Sequence, residues 1–185
     1  MPAPTPSVWL SSENPTTGNN EKRAAIVPAG KTGVAMRIVV AGEVTKSLIS
    51  GFYLEHDDFC FPDKEWTDFS QVLICTWTRA MLARRHKNNV KFSLYFMDGP
   101  YQLDMYKDHE DLKVNCVSSG SRKDNSEFSF HCEYESFLSA LYFAAESFGR
   151  LLLEKGSDIG EYKAAYDEIS AKMKELEKAG KSRDK

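Results

Sequence analysis

VKFSLYFMDGPYQLDMYK, residues 90 to 107, contains two alternating apolar runs that meet at the turn Asp98-Gly99-Pro100. Phe92, Leu94 and Phe96 alternate on the first arm, and Leu103 and Met105 on the second. In an extended chain successive side chains point to opposite faces, so these residues can lie on a core while Lys91, Ser93, Gln102 and Asp104 face away. The stretch predicts a β-hairpin. Downstream, Leu112 to Val117 and Glu127 to Cys132 alternate again across the polar loop Ser118 to Ser126, which extends the hairpin to four consecutive antiparallel strands.

Upstream, the β-branched and apolar run Val34 to Glu55 is broken by Gly42 and Gly51, the pattern of two strands with a turn near Ala41 to Val44. After Pro62, with Asp63 as N-cap, a helix is expected from Lys64 to Lys87, striped by Trp66, Phe69, Leu73, Trp77 and Met81. Acidic residues crowd its first turn and Arg79, Arg84, Arg85 and Lys87 its last, the order that the helix dipole favours. A second helix is expected from Tyr134 to Lys155, with Phe137, Leu141, Ala145, Phe148 and Leu152 on one face and Gly156 as its stop.

Asp158 and Glu161 then open a third helix whose apolar residues Ile159, Tyr162, Tyr166, Ile169, Met173 and Leu176 are spaced 3, 4, 3, 4, 3. This heptad seam needs another helix, either the second helix of the same chain or a partner's copy in a homodimer. The expected fold is α+β: an antiparallel sheet of about five to six strands with two main helices on it and a C-terminal heptad helix. Its divisions are a flexible arm over 1–32, the α+β domain over 33–156, the helix over 157–180 and a tail over 181–185.

Composition fits one domain of this kind. The chain has 185 residues, 42% hydrophobic and 28% charged, with eleven Phe, eight Tyr and three Trp to supply an aromatic core. A net charge of −3 gives no electrostatic footprint for nucleic acid. The start MPAPTP lacks a charged-then-apolar leader, and no run is long and apolar enough for a membrane span, so a cytoplasmic protein is expected. Cys60, Cys75, Cys116 and Cys132 form no C-x-x-C pair and sit in apolar runs, which favours small buried hydrophobes over disulfides or a metal.

Signatures of catalysis are missing. Ala25 to Thr32, AIVPAGKT, matches a loose phosphate-loop pattern, but polar Gly18 to Arg23 precede it, Pro28 removes a donor, and a strand pattern follows it. Phosphate loops need a strand before them and a helix N-terminus after them. His56, His86, His109 and His131 are scattered without metal-ligand spacing, and there is no nucleophile elbow. A non-enzyme without cofactor or metal is expected.

Glu55, Asp57, Asp58, Asp63, Glu65 and Asp68 face Lys64 alone, with Phe59 and Phe61 interleaved. Such a run is either a solvated face or a docking surface, where carboxylates steer a basic partner and aromatic rings anchor it.

Phe59-Cys60-Phe61-Pro62 leading to Glu65-Trp66-Thr67-Asp68-Phe69, a Trp-bearing helix, then Phe96-Met97-Asp98-Gly99-Pro100-Tyr101 and a late apolar helix resemble the small bacterial immunity proteins of polymorphic toxins. Genes of that kind lie beside contact-dependent or secretion-system effectors. The resemblance spans about residues 34 to 155. It implies a cytoplasmic inhibitor in bacterial competition that binds a cognate toxin, many of which present basic active-site clefts. Glu55, Asp57, Asp58, Phe59, Phe61, Asp63 and the hairpin tip at Asp98 are the expected contact residues; the alternative is a scaffold that self-associates through the heptad helix.

Overall fold

The computed structural model describes residues 36–118, 126–156 and 160–181. The N-terminal arm with Ala25–Thr32, residues 119–125, the seam residue Ile159 and the residues after Lys181 lie outside them, and the Tyr162 side chain is likewise not described.

The fold is α+β, with two four-stranded antiparallel sheets and three helices among the described residues. In the first sheet β2 (Ile49–His56) is central. On one side it pairs with β1 (Arg37–Ala41), from Arg37 opposite Glu55 to Ala41 opposite Gly51. A Cβ at Gly51 would stand 2.9 Å from the Ala41 carbonyl oxygen, so this close pairing requires glycine. On the other side β2 takes two short strands in turn: β3 (Phe59–Phe61) along its second half and β4 (Thr67–Phe69) along its first.

The second sheet is the expected meander: β5 (Val90–Tyr95), β6 (Tyr101–Asp108), β7 (Asp111–Ser118) and β8 (Ser126–Glu133), in spatial order of sequence. Phe92, Leu94, Phe96, Leu103 and Met105 are all buried, as their alternation requires. The strands therefore divide between two sheets, where a single sheet of five to six was expected. β3 and β4 are only three residues each, too short to show a period, and the helix between β4 and β5 separates the two sets of strands.

That helix, α1, covers Ser70–Leu82 and is much shorter than the predicted Lys64–Lys87. Extended pairing with β2 wins over residues 67–69, and the Phe52 N–H donates to the Trp66 carbonyl at 3.0 Å. Asp63 is no helix cap; its carboxylate accepts the Glu65 N–H in a turn. Acidic residues consequently lie outside the first turn of α1, and Arg84, Arg85 and Lys87 lie beyond its end. The Arg84 guanidinium still serves the helix terminus, donating to the Ala80 carbonyl at 2.8 Å, and it lies over the Phe92 ring. Arg85 pairs with Glu135.

α2 (Tyr134–Glu154) matches its prediction closely, with Phe137, Leu141, Ala145, Phe148 and Leu152 fully buried and Gly156 in a left-handed conformation just past its end. α3 (Gly160–Lys181) lies on α2 and α1. Ala165, Ile169 and Leu176 join the same hydrophobic core as the rest of the fold, with Tyr166 and Met173 at its edge. The small Gly149 on α2 admits Tyr166 and Ile169. The described part of the seam, from Tyr166 to Leu176, thus packs within the chain, and α3 shares the core of the other elements.

Aromatic rings join the parts. Phe52 from β2, Trp77 from α1 and Phe96 after β5 meet edge to face, with centroids 5.3 Å (Phe52–Trp77) and 5.2 Å (Trp77–Phe96) apart. Phe61 from β3 reaches Phe96 and Tyr101 in the same manner. No helix among the described residues is long and apolar enough to cross a membrane.

Candidate functional site: an acidic surface on an aromatic frame

The β2–β3 hairpin closes with His56 opposite Phe59, leaving Asp57 and Asp58 at its tip. Asp57 takes a positive φ of 54°, a conformation that Asp tolerates better than most residues. Both tip carboxylates are exposed. Beneath them the hairpin is clamped to β8, since the Phe59 ring stacks on Phe128 at 4.2 Å and the His56 ring lies 4.3 Å from Phe130. His56 Nδ1 is 3.4 Å from the Asp57 carboxylate without making a hydrogen bond.

The predicted contact residues divide sharply. Asp57, Asp58, Asp63 and Asp98 are exposed. Phe61 is fully buried, so it cannot touch a partner; it supports the surface from within. Phe59 is half-buried and occupied by Phe128. Glu55 is half-buried and paired across the strands with Arg37, so its charge is already neutralised. The aromatic anchors expected at 59 and 61 are therefore frame.

One residue that local reading placed in the exposed run does something else. Asp68 is 1% exposed, and its carboxylate accepts the N–H groups of Phe69 at 2.7 Å, Met97 at 3.0 Å and Asp98 at 3.3 Å, with the Trp66 indole N–H at 3.4 Å. A buried carboxylate is stable only when its oxygens are satisfied in this way. The Trp66 ring packs on the same hairpin tip. A Cβ at Gly99, whose φ is +74°, would come within 2.7 Å of it, and Tyr101 meets it edge on at 4.8 Å. The segments 65–69 and 96–101 are thus halves of one latch between the two sheets. The signal in the sequence was an acid between Trp66 and Phe69; its partners some thirty positions away were not visible there.

No disulfide joins any of the four cysteines, Cys75 and Cys116 are buried, and the described residues contain no cluster of metal-ligating side chains. Burial pushes the thiols of Cys75 and Cys132 up to about 12, helped at Cys75 by the Glu168 carboxylate and at Cys132 by Asp111 and Glu133. Two results are expected. Both thiols resist iodoacetamide near pH 8 in the native protein and react in denaturant, as mass spectrometry of the labelled peptides would read. Between about pH 9 and 12 the unfolded chain has lost thiol protons that the folded chain keeps, so stability falls as pH rises through that window. Urea titrations that show flat stability there would contradict the assignment.

Compared with protein-family models, curated proteins and solved structures, the chain has no significant match.

Proposed function

We propose that this chain is an immunity-type inhibitor that binds and neutralises a cognate bacterial toxin in the cytoplasm. The observation that carries the reading is electrostatic. Asp58, Asp63, Glu65 and Asp98 are exposed and have no Lys or Arg within ion-pair distance among the described residues, and Asp57 has only His56 nearby. Unpaired carboxylates held on a frame of packed rings present a preformed negative field, which steers a basic protein and costs little ordering entropy on binding. A basic toxin cleft is the complementary surface, and blocking it inhibits without chemistry. The motif resemblance around residues 59–69 and 96–101 points the same way. Self-association through the heptad helix has less support, because Ala165, Ile169 and Leu176 are already covered within the chain.

Co-expression with the product of the neighbouring gene tests the proposal: a stable stoichiometric complex that suppresses toxicity is expected, and its absence would sink the reading. In that complex, Asp57→Lys combined with Asp58→Lys slows association by roughly tenfold at low ionic strength and weakens its salt dependence. An unchanged association rate in stopped-flow would remove the hairpin tip from the docking surface.

A further inference from the structure

With Phe59 and Phe61 assigned to the frame, the acidic surface lacks anchors unless other apolar groups lie beside it. Such groups are present. Tyr95 is 60% and Met97 54% exposed, alternating outward on either side of buried Phe96. Phe69, the last residue of β4, and Val72, in the first turn of α1, are 37% and 38% exposed. Asp68 brings the two pairs side by side, since one carboxylate accepts both the Phe69 and the Met97 N–H. The Trp77 indole N–H, donating to the Tyr95 carbonyl at 3.0 Å, holds β5 against α1.

Single exposed apolar side chains are ordinary, but four on the two segments 69–72 and 95–97, which Asp68 and Trp77 tie together, form a patch. Its rim is acidic: Asp98 follows Met97 directly, and Glu65 and Asp63 lie on the turn leading to Trp66, which packs on the Asp98–Gly99 tip. Lys64 is the one cation of that turn, and Arg79 lies two helical turns beyond Val72.

We propose that Phe69, Val72, Tyr95 and Met97 are the apolar anchor of the partner-binding surface, with Asp98 and Glu65 as its acidic rim, and that the surface takes a protein segment bearing Lys or Arg beside an aromatic or aliphatic side chain. The proposal rests on the reading above that this protein acts by binding another. Charge complementarity selects the occupant: the unpaired rim carboxylates favour a cation, the Tyr95 face accepts a guanidinium, and unbranched Met97 adapts to the apolar neighbour. It separates two roles, with Asp57 and Asp58 setting the rate of encounter and the anchor setting the lifetime of the complex.

The test uses the full chain as bait for a displayed random-peptide library. Enriched peptides should combine Lys or Arg with an aromatic or aliphatic residue, and should bind about tenfold or more weakly to Tyr95→Ser and Met97→Ser, whose exposed positions leave the far-ultraviolet circular dichroism unchanged. Asp98→Lys should weaken them as well, most strongly at low salt. No enrichment, acidic peptides, or affinities indifferent to Tyr95→Ser and Met97→Ser would overturn the proposal. So would a concentration-dependent dimer of the chain abolished by those substitutions, because the surface would then belong to a second copy. A neighbouring gene product that fails to bind rejects the toxin reading without altering the peptide result, so the two failures are distinguishable.

Discussion

Asp68→Ala is expected to lower the free energy of unfolding by about 3–5 kcal/mol, since bonds to a charged acceptor contribute about 1.5–3 kcal/mol each and two of the four here are short. The substitution leaves the N–H groups of Phe69, Met97 and Asp98 and the Trp66 indole without their acceptor, in a site where Asp68 itself is almost completely buried. For a chain of this length the corresponding fall in Tm is roughly 10 °C. Asp68→Asn should cost less, because one acceptor oxygen remains, although its amide group faces donors. Asp98→Ala removes an exposed carboxylate and should stay within about 0.5 kcal/mol of the parent, and Asp63→Ala, which also loses the turn bond from the Glu65 N–H, should cost no more than about 1.5 kcal/mol. Urea denaturation of the four variants is decisive: an Asp68→Ala loss no greater than that of Asp63→Ala would refute the latch. Because the latch also fixes Met97 and Asp98, the substitution should weaken binding at the proposed surface together with stability.

Ile169→Ala should destabilise the chain by about 2–5 kcal/mol, the range for emptying a fully buried aliphatic site. Ile169 packs where α3 crosses Gly149 of α2, and the same helix is tied by polar contacts on both sides: the Gln71 amide donates to Glu168 and the Tyr142 hydroxyl to Glu177. Sedimentation of the full chain before and after the substitution should give the same molecular mass. A drop in mass with little loss of stability would instead place the seam between two copies. Removing α3 entirely is a poorer experiment, because it would uncover the face of α2 at Gly149, where Tyr166 and Ile169 pack.

Much of this fold was legible in the sequence. The β5–β6 hairpin and α2 were readable because their apolar residues repeat with a steady period and their ends carry local signals, the Asp98-Gly99-Pro100 turn and Gly156. α1 was misread at its start because an acidic stretch after a proline looks like a helix N-terminus; the open edge of β2 claimed residues 67–69 first. β3 and β4 had no period to read at three residues each. The heptad spacing announced that α3 needs a partner helix, and only packing identified it as α2 and α1.

The candidate surface divides along the same line. The charge run from Glu55 to Asp68 and the alternation around Asp98 are properties of the sequence, and they determined where acidic groups and strands would lie. Tertiary structure decided which of those groups meets solvent. Phe59 and Phe61 turned inward because β8 and the hairpin tip offered them rings to stack on, and Asp68 was buried because backbone donors at 97 and 98 came within reach. Phe69, Tyr95 and Met97 were left outside. A local pattern sets which side of a strand or helix a residue occupies, whereas burial depends on what arrives from distant parts of the chain to cover that side.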